Sequence, residues 1–319
     1  MFKMMIIALS FFSSLATNAM EISTPGAVAA NLLPNGQLFM AYGNKNIEVF
    51  DASTGKRISI IQGTEKVFLI GNKGENIWGL ASKDKSNWTV FKLSADKKLI
   101  LDSFVVPQTG SGIVFELIVL DENNIALVQL GDSVSPLLQV ISTKNKKNSE
   151  AIGPFTTQIV GRLGYYQDEE NLYLPGGYPG VVVNFKFSAV NNLKIESKYY
   201  FEDWLHDIKK IGDKRFVAAG SLYGVRLFDL GKPLESNGKV KTTDVLDTIN
   251  AHLFVSKDMV YATSLNKMEV IDLKNNSVKS TTIKMIDGDS KLLIPVGKNL
   301  NLDLVIFEPN AGFHTVVLD

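Results

Sequence analysis

Glu116, Asp207 and His252 stand inside stretches that are otherwise apolar and strand-like, VFELIV, LHDI and AHLFV. Charge in such surroundings is costly unless it is hydrated or paired, so each residue asks for a partner or a task. Two carboxylates and an imidazole are the groups that general acid–base chemistry uses. One reading is therefore a hydrolase or lyase in which Glu116, Asp207 and His252 move protons. A glycosidase would hold its carboxylates about 5 to 10 Å apart, a spacing that chain position alone does not set. His206 precedes Asp207 directly, yet neighbouring strand residues point to opposite faces, so the two are not expected to form a dyad.

Metal chemistry has little to build on. The chain has no cysteine and three scattered histidines, which offers zinc no ligand spacing. No metal and no cofactor is expected. There is no G-x-S-x-G elbow, no H-E-x-x-H pair and no phosphate-binding P-loop.

A second set of residues points to recognition. Phe155 in GPF, Tyr178 in PGGYPG, Trp204 in FEDWLHD and Tyr223 in SLYG fall in glycine-rich or polar connections between strand-like segments. Aromatic side chains carried on loops offer much contact area at low entropic cost, and Trp and Tyr are enriched in binding hot spots. The leading reading is a non-enzymatic module that binds a protein, peptide or glycan through Phe155, Tyr178, Trp204 and Tyr223.

The elements that must position these residues repeat along the chain. VRLFDL at 225 has relatives in IEVFDA, TVFKLS, LQVIST, VNFKFS, MEVIDL and TVVLD. Their large apolar anchors are Phe50, Phe91, Ile141, Phe185, Phe228, Ile271 and Leu318, spaced by 41, 50, 44, 43, 43 and 47 residues. Each unit alternates with period two and is cut by turn residues into four short strands, which together predict the blade of a β-propeller. The fold expected is all-β: seven four-stranded blades in one domain over 20–319. The last unit lacks an outermost strand, and the segment just after Ala19 is available to supply it, which would remove the open seam of the ring.

In such a ring the first strand of every blade lines a central channel. Registering the residue before the first aliphatic of each inner strand gives Asn31, Phe68, Glu116, Arg162, Asp207, His252 and Lys291. Two readings stay open: a hydrated channel whose acids and bases satisfy one another, or a polar site at the channel mouth. Arg162 and Lys291 in the same ring count against calcium, which needs several oxygen ligands.

Residues 205–233, LHDIKKIGDKRFVAAGSLYGVRLFDLGKP, resemble the LVIVD repeat of exported bacterial and archaeal propellers, and AHLFVSKDMVYATSLNKMEVIDL matches it more loosely. The other units share only the strand pattern common to WD-like and YVTN-like propellers. The resemblance implies a binding or surface module.

Composition sets the remaining bounds. Thirty-three basic and thirty-three acidic residues cancel, so the concentrated positive field that nucleic acid requires is absent. Residues 1–19 carry one lysine, an apolar run and then small residues up to Ala19. That is the pattern of a signal peptide, and its apolar run is well short of the ~20 residues that span a bilayer. A monomer, periplasmic or secreted after cleavage and without a membrane span, is expected.

Overall fold

A computed structural model of the chain describes residues 20–316 apart from 44–45, 64, 83, 85, 97, 110, 132–134, 149–150, 156–163, 178–179, 188–192, 257, 276, 287–290 and 294–303. The signal-peptide segment, Arg162 and Tyr178 therefore lie outside the described residues.

The chain forms seven antiparallel four-stranded blades in a ring, and no helix occurs among the described residues. The first strands of the blades are Ala27–Leu32, Lys66–Lys73, Val114–Val119, Tyr166–Gln167, Leu205–Lys210, His252–Ser256 and Lys291–Leu293. Contacts between first strands run from blade one to blades two and seven, from two to three, from four to five, from five to six, and from six to seven. In blade six one continuous element, Met259–Asp272, serves as both middle strands: Met259–Thr263 pair with the first strand and Leu265–Asp272 with the last. The short strand Met20–Ser23 pairs with Gly312–Thr315 and completes blade seven, as expected for ring closure.

Local chemistry accounts for the strands. In blade one the first hairpin turns through Pro34 and Asn35, and the Gly36 N–H donates to the Leu33 carbonyl at 3.0 Å. Gly36 has φ of 82°, a left-handed backbone that glycine adopts without strain. Between turns the buried faces alternate, and they meet between blades rather than inside one. Ala29, Phe39 and Ile47 of blade one pack with Val67, Ile77 and Leu93 of blade two. Similar clusters join two to three, three to four, four to five, five to six and seven to one. Each large side chain buried there contributes about 1.5–3 kcal/mol, so a blade is stable mainly through its neighbours.

The pairing also corrects one anchor of the repeat and two positions of the inner ring. Phe50 and Phe185 follow a register shift on the third strand of their blades, and in blade two the shift lies between Lys92 and Leu93. Leu93, not Phe91, is thus the counterpart of Phe50. The inner strands carry bulges as well, at Val28, Phe68, Phe115 and His206. Aligned on these bulges, Ala29, Leu69, Glu116 and Asp207 form one layer. Asn31 lies two residues past that layer and Phe68 sits on the bulge itself, so neither belongs to the ring of Glu116 and Asp207. An inserted residue turns every following side chain, and a count from the first aliphatic does not register it.

Candidate functional site

The polar residues of the inner strands are tied to neighbouring blades. Asn31 Nδ2 donates to the Ile70 carbonyl, joining blades one and two. Lys73 Nζ reaches the Leu120 carbonyl at 2.7 Å from blade two, and Gln167 Nε2 reaches the same oxygen at 2.7 Å from blade four. Asp207, buried on blade five, accepts from Lys209 Nζ at Oδ1 (2.7 Å) and from the Leu253 N–H of blade six at Oδ2 (2.7 Å). Lys209 Nζ also donates to the Tyr165 carbonyl at 3.0 Å. These contacts link the inner strands of six consecutive blades.

Glu116 is buried on blade three, and the segment Gly164–Tyr165 stands between it and Asp207. A β-carbon on Gly164 would lie 1.9 Å from Asp207 Oδ1. On the other side the Tyr165 phenol is pushed above its ordinary pKa, first by burial and then by the Glu116 charge. His252 is half-buried at the start of its strand. Lys291 begins the inner strand of blade seven, opposite Phe307. Among the described residues, no three His, Cys, Asp or Glu side chains gather as a metal would require.

His206 occupies the bulge beside Asp207. It is 5% exposed, and neither ring nitrogen has a hydrogen bond in good geometry. Burial holds its pKa below the ordinary imidazole value, partly opposed by the Asp207 charge and by the Ala251 carbonyl. No hydrogen bond joins it to Asp207, so the pair is not a dyad.

The aromatic set divides. Phe155 is 2% exposed and packs edge-on against Phe185 at 5.4 Å, inside the cluster between blades three and four. It is a core residue, not a surface contact. Trp204 and Tyr223 are 38% and 46% exposed, and they are accompanied by Leu222 at 51% and Ile249 at 45%. The loop entering blade five, the 221–224 turn and the loop entering blade six meet on one face. Ser221 N donates to the Trp204 carbonyl at 3.1 Å, and Asn250 N to the Gly220 carbonyl at 3.0 Å.

Asp203 organises this face. It is wholly buried, and its Oδ1 accepts from the Trp204 N–H (2.7 Å) and the Leu222 N–H (2.8 Å), while Oδ2 accepts from the Tyr223 N–H (3.1 Å). Hydrogen bonds to an ionised acceptor are about twice as strong as neutral ones, so one carboxylate fixes both aromatic-bearing turns. Arg226 adds a cation over the Tyr223 ring, its Cζ 4.3 Å from the centroid. Its Nε lies 2.8 Å from Asp244 Oδ1, although off the N–H direction. Asp203 was not singled out in the sequence. The available signal was an acidic residue in the loop before an inner strand, facing a turn whose N–H groups have no strand to pair with.

Fold and face together define a β-propeller with an ordered aromatic loop patch. Solved structures of this shape are numerous, with 1440 matching chains, so the shape by itself selects no activity. One of them is U3-55K, which superposes with a TM-score of 0.64 over 95% of this chain and 98% of that one at 13% identity. That likeness is one of fold. No protein-family model and no curated protein matches the sequence.

Proposed function

We propose that this chain is an exported, non-enzymatic scaffold, related to LVIVD-type propellers, that binds a protein, peptide or glycan on the loop face of blades five and six. The observation that carries the reading is the buried Asp203 carboxylate holding Trp204, Leu222 and Tyr223 by their backbone N–H groups. Loops ordered in advance lose little entropy on binding, and exposed Trp and Tyr anchors account for much of the energy of typical interfaces. Leu222 and Ile249 extend the apolar patch, and Arg226 and Asp244 lend it charge. The acid–base alternative finds less support, because both oxygens of Asp207 already accept hydrogen bonds, Oδ1 from Lys209 of the same strand and Oδ2 from the Leu253 N–H of blade six.

Export rests on the pattern of residues 1–19. The strand that closes the ring, Met20–Ser23, follows that segment. A processed chain would then carry its amino terminus directly into blade seven and act as a monomer.

A crosslinked pull-down from the exported fraction tests the reading, with tagged full-length mature protein beside a Trp204→Ser/Tyr223→Ser variant. The expected result is a stoichiometric partner held by the unmodified protein and lost from the variant. Equal capture by both, or no capture, overturns it.

A further inference from the structure

A second, unrelated feature lies at the opposite side of the ring, where blades one and two meet. On the third strand of blade two, Thr89 and Phe91 share one face, with Ala81 paired opposite Thr89 and Ser103 opposite Phe91. Gly79 pairs directly with Phe91, and a β-carbon there would lie 2.1 Å from the ring. The ring therefore lies down over the glycine. The small side chains beside it, Ala81, Thr89 and Ser103, leave space that blade one does not fill. The result is a cavity of about 260 Å³ walled by Val67, Ala81, Thr89, Phe91, Ile100 and Ser103 of blade two, with Gln62 at the end of blade one and Gly63 and Glu65 of the connection at its edge.

The wall mixes apolar side chains with the polar Gln62, Ser103, Thr89 and Glu65, and atoms of the last two lack partners. Thr89 is 9% exposed, and neither its Oγ1 nor Glu65 Oε2 has a hydrogen bond, although both atoms are shut off from solvent. No ion pair to Glu65 occurs among the described residues. Buried acceptors left unpaired are unfavourable, and a carboxylate is best satisfied by a charged donor. An apolar cavity of about 150 Å³ already holds benzene, so this one has room for a ring and a short polar arm.

We infer that the cavity between blades one and two is a binding site for a small organic cation, an apolar ring bearing a protonated amine. The ring lies against Val67, Ala81 and Phe91, and the ammonium donates to Glu65, with the Thr89 hydroxyl as a second polar contact. The site is separate from the loop face of blades five and six, so either can fail without the other.

The test uses benzylamine, benzyl alcohol and benzoate as probes, titrated into the full mature chain by calorimetry and by amide shifts in NMR spectra. Benzylamine is expected to bind and to move the amides of Glu65, Ala81 and Thr89. Benzyl alcohol should bind at least tenfold more weakly, and benzoate not at all. Glu65→Gln at the cavity edge should weaken benzylamine at least tenfold, about 1.4 kcal/mol, with an unchanged melting temperature. Ala81→Leu, which fills the space, should abolish binding. If that variant does not fold, Thr89→Val gives the second reading and should weaken benzylamine severalfold in a folded protein. No benzylamine binding, equal binding of the three probes, or an affinity indifferent to Glu65→Gln overturns the inference.

Discussion

Gly220 and Asp203 stand so close that a β-carbon on the glycine would lie 1.9 Å from Asp203 Oδ2. The missing side chain makes the space in which the carboxylate turns toward Leu222 and Tyr223. Gly220→Ala should therefore cost about 3 kcal/mol, the upper part of the range for overpacking, and should release the loop face. Urea unfolding measures the first effect. Faster amide exchange at Leu222 and Tyr223, with near-ultraviolet dichroism changed at Trp204, measures the second. A fully stable variant with unchanged exchange would mean that Asp203 does not set this face.

Asp207 and Lys209 form a partly buried pair that also joins blades four, five and six. Removing one partner of a buried pair costs about 3–5 kcal/mol, and Lys209 is open enough to solvent to place Asp207→Asn near the lower end. Lys209→Met should be similar, because it leaves the carboxylate to the Leu253 N–H alone. The double variant should be less destabilised than the sum, with a coupling of about 1–2 kcal/mol. Additive effects in a double-mutant cycle would show that the pair does not act as a unit.

His206 makes stability depend on pH in the mildly acidic range. Its folded pKa is held below the ordinary value of 6.5, mainly by burial, so the unfolded chain binds the proton more readily. Stability is then complete above about pH 6.5 and falls as the pH drops toward the folded pKa, with a slope of up to about 1.4 kcal/mol per pH unit. His206→Phe should remove this slope between pH 6.5 and 5. Urea midpoints measured at several pH values in both proteins decide it, and parallel profiles would exclude His206 as the source.

The strand Met20–Ser23 covers the last edge of blade seven. Deleting residues 20–23 from the mature chain should expose the Gly312–Val316 edge, speed unfolding at least tenfold and promote self-association, as open edges do. Stopped-flow unfolding and light scattering at matched concentration provide the measurements. Unchanged rates would show that closure lies elsewhere in the ring.

Architecture was legible in the sequence because it is written locally. Alternation with period two, turn residues such as Pro34-Asn35-Gly36 and seven recurrent anchors are properties of short segments, and they carried the blade count and the closing strand. The loop placement of Trp204 and Tyr223 was legible for the same reason, since a large aromatic residue in a polar or glycine-bounded connection is a local signal. Phe155 in GPF carries that signal too, yet blades three and four close over it. Burial of a loop residue is decided by what packs above it.

Which inner-strand residues share a layer, and the cavity, were decided only by tertiary structure. Bulges at Val28 and Phe68 shift Asn31 and Phe68 out of the layer of Glu116 and Asp207, and a bulge exists only as a mismatch between two paired strands. Asp203 finds its donors 19 and 20 residues away, at Leu222 and Tyr223. Gly79, Ala81, Thr89 and Ser103 are ordinary small residues along the chain, and they become one hollow only after three strands of blade two lie side by side against blade one. Periodicity fixes which face a residue takes within its own strand, whereas cross-strand register and blade-to-blade contact fix what that face meets.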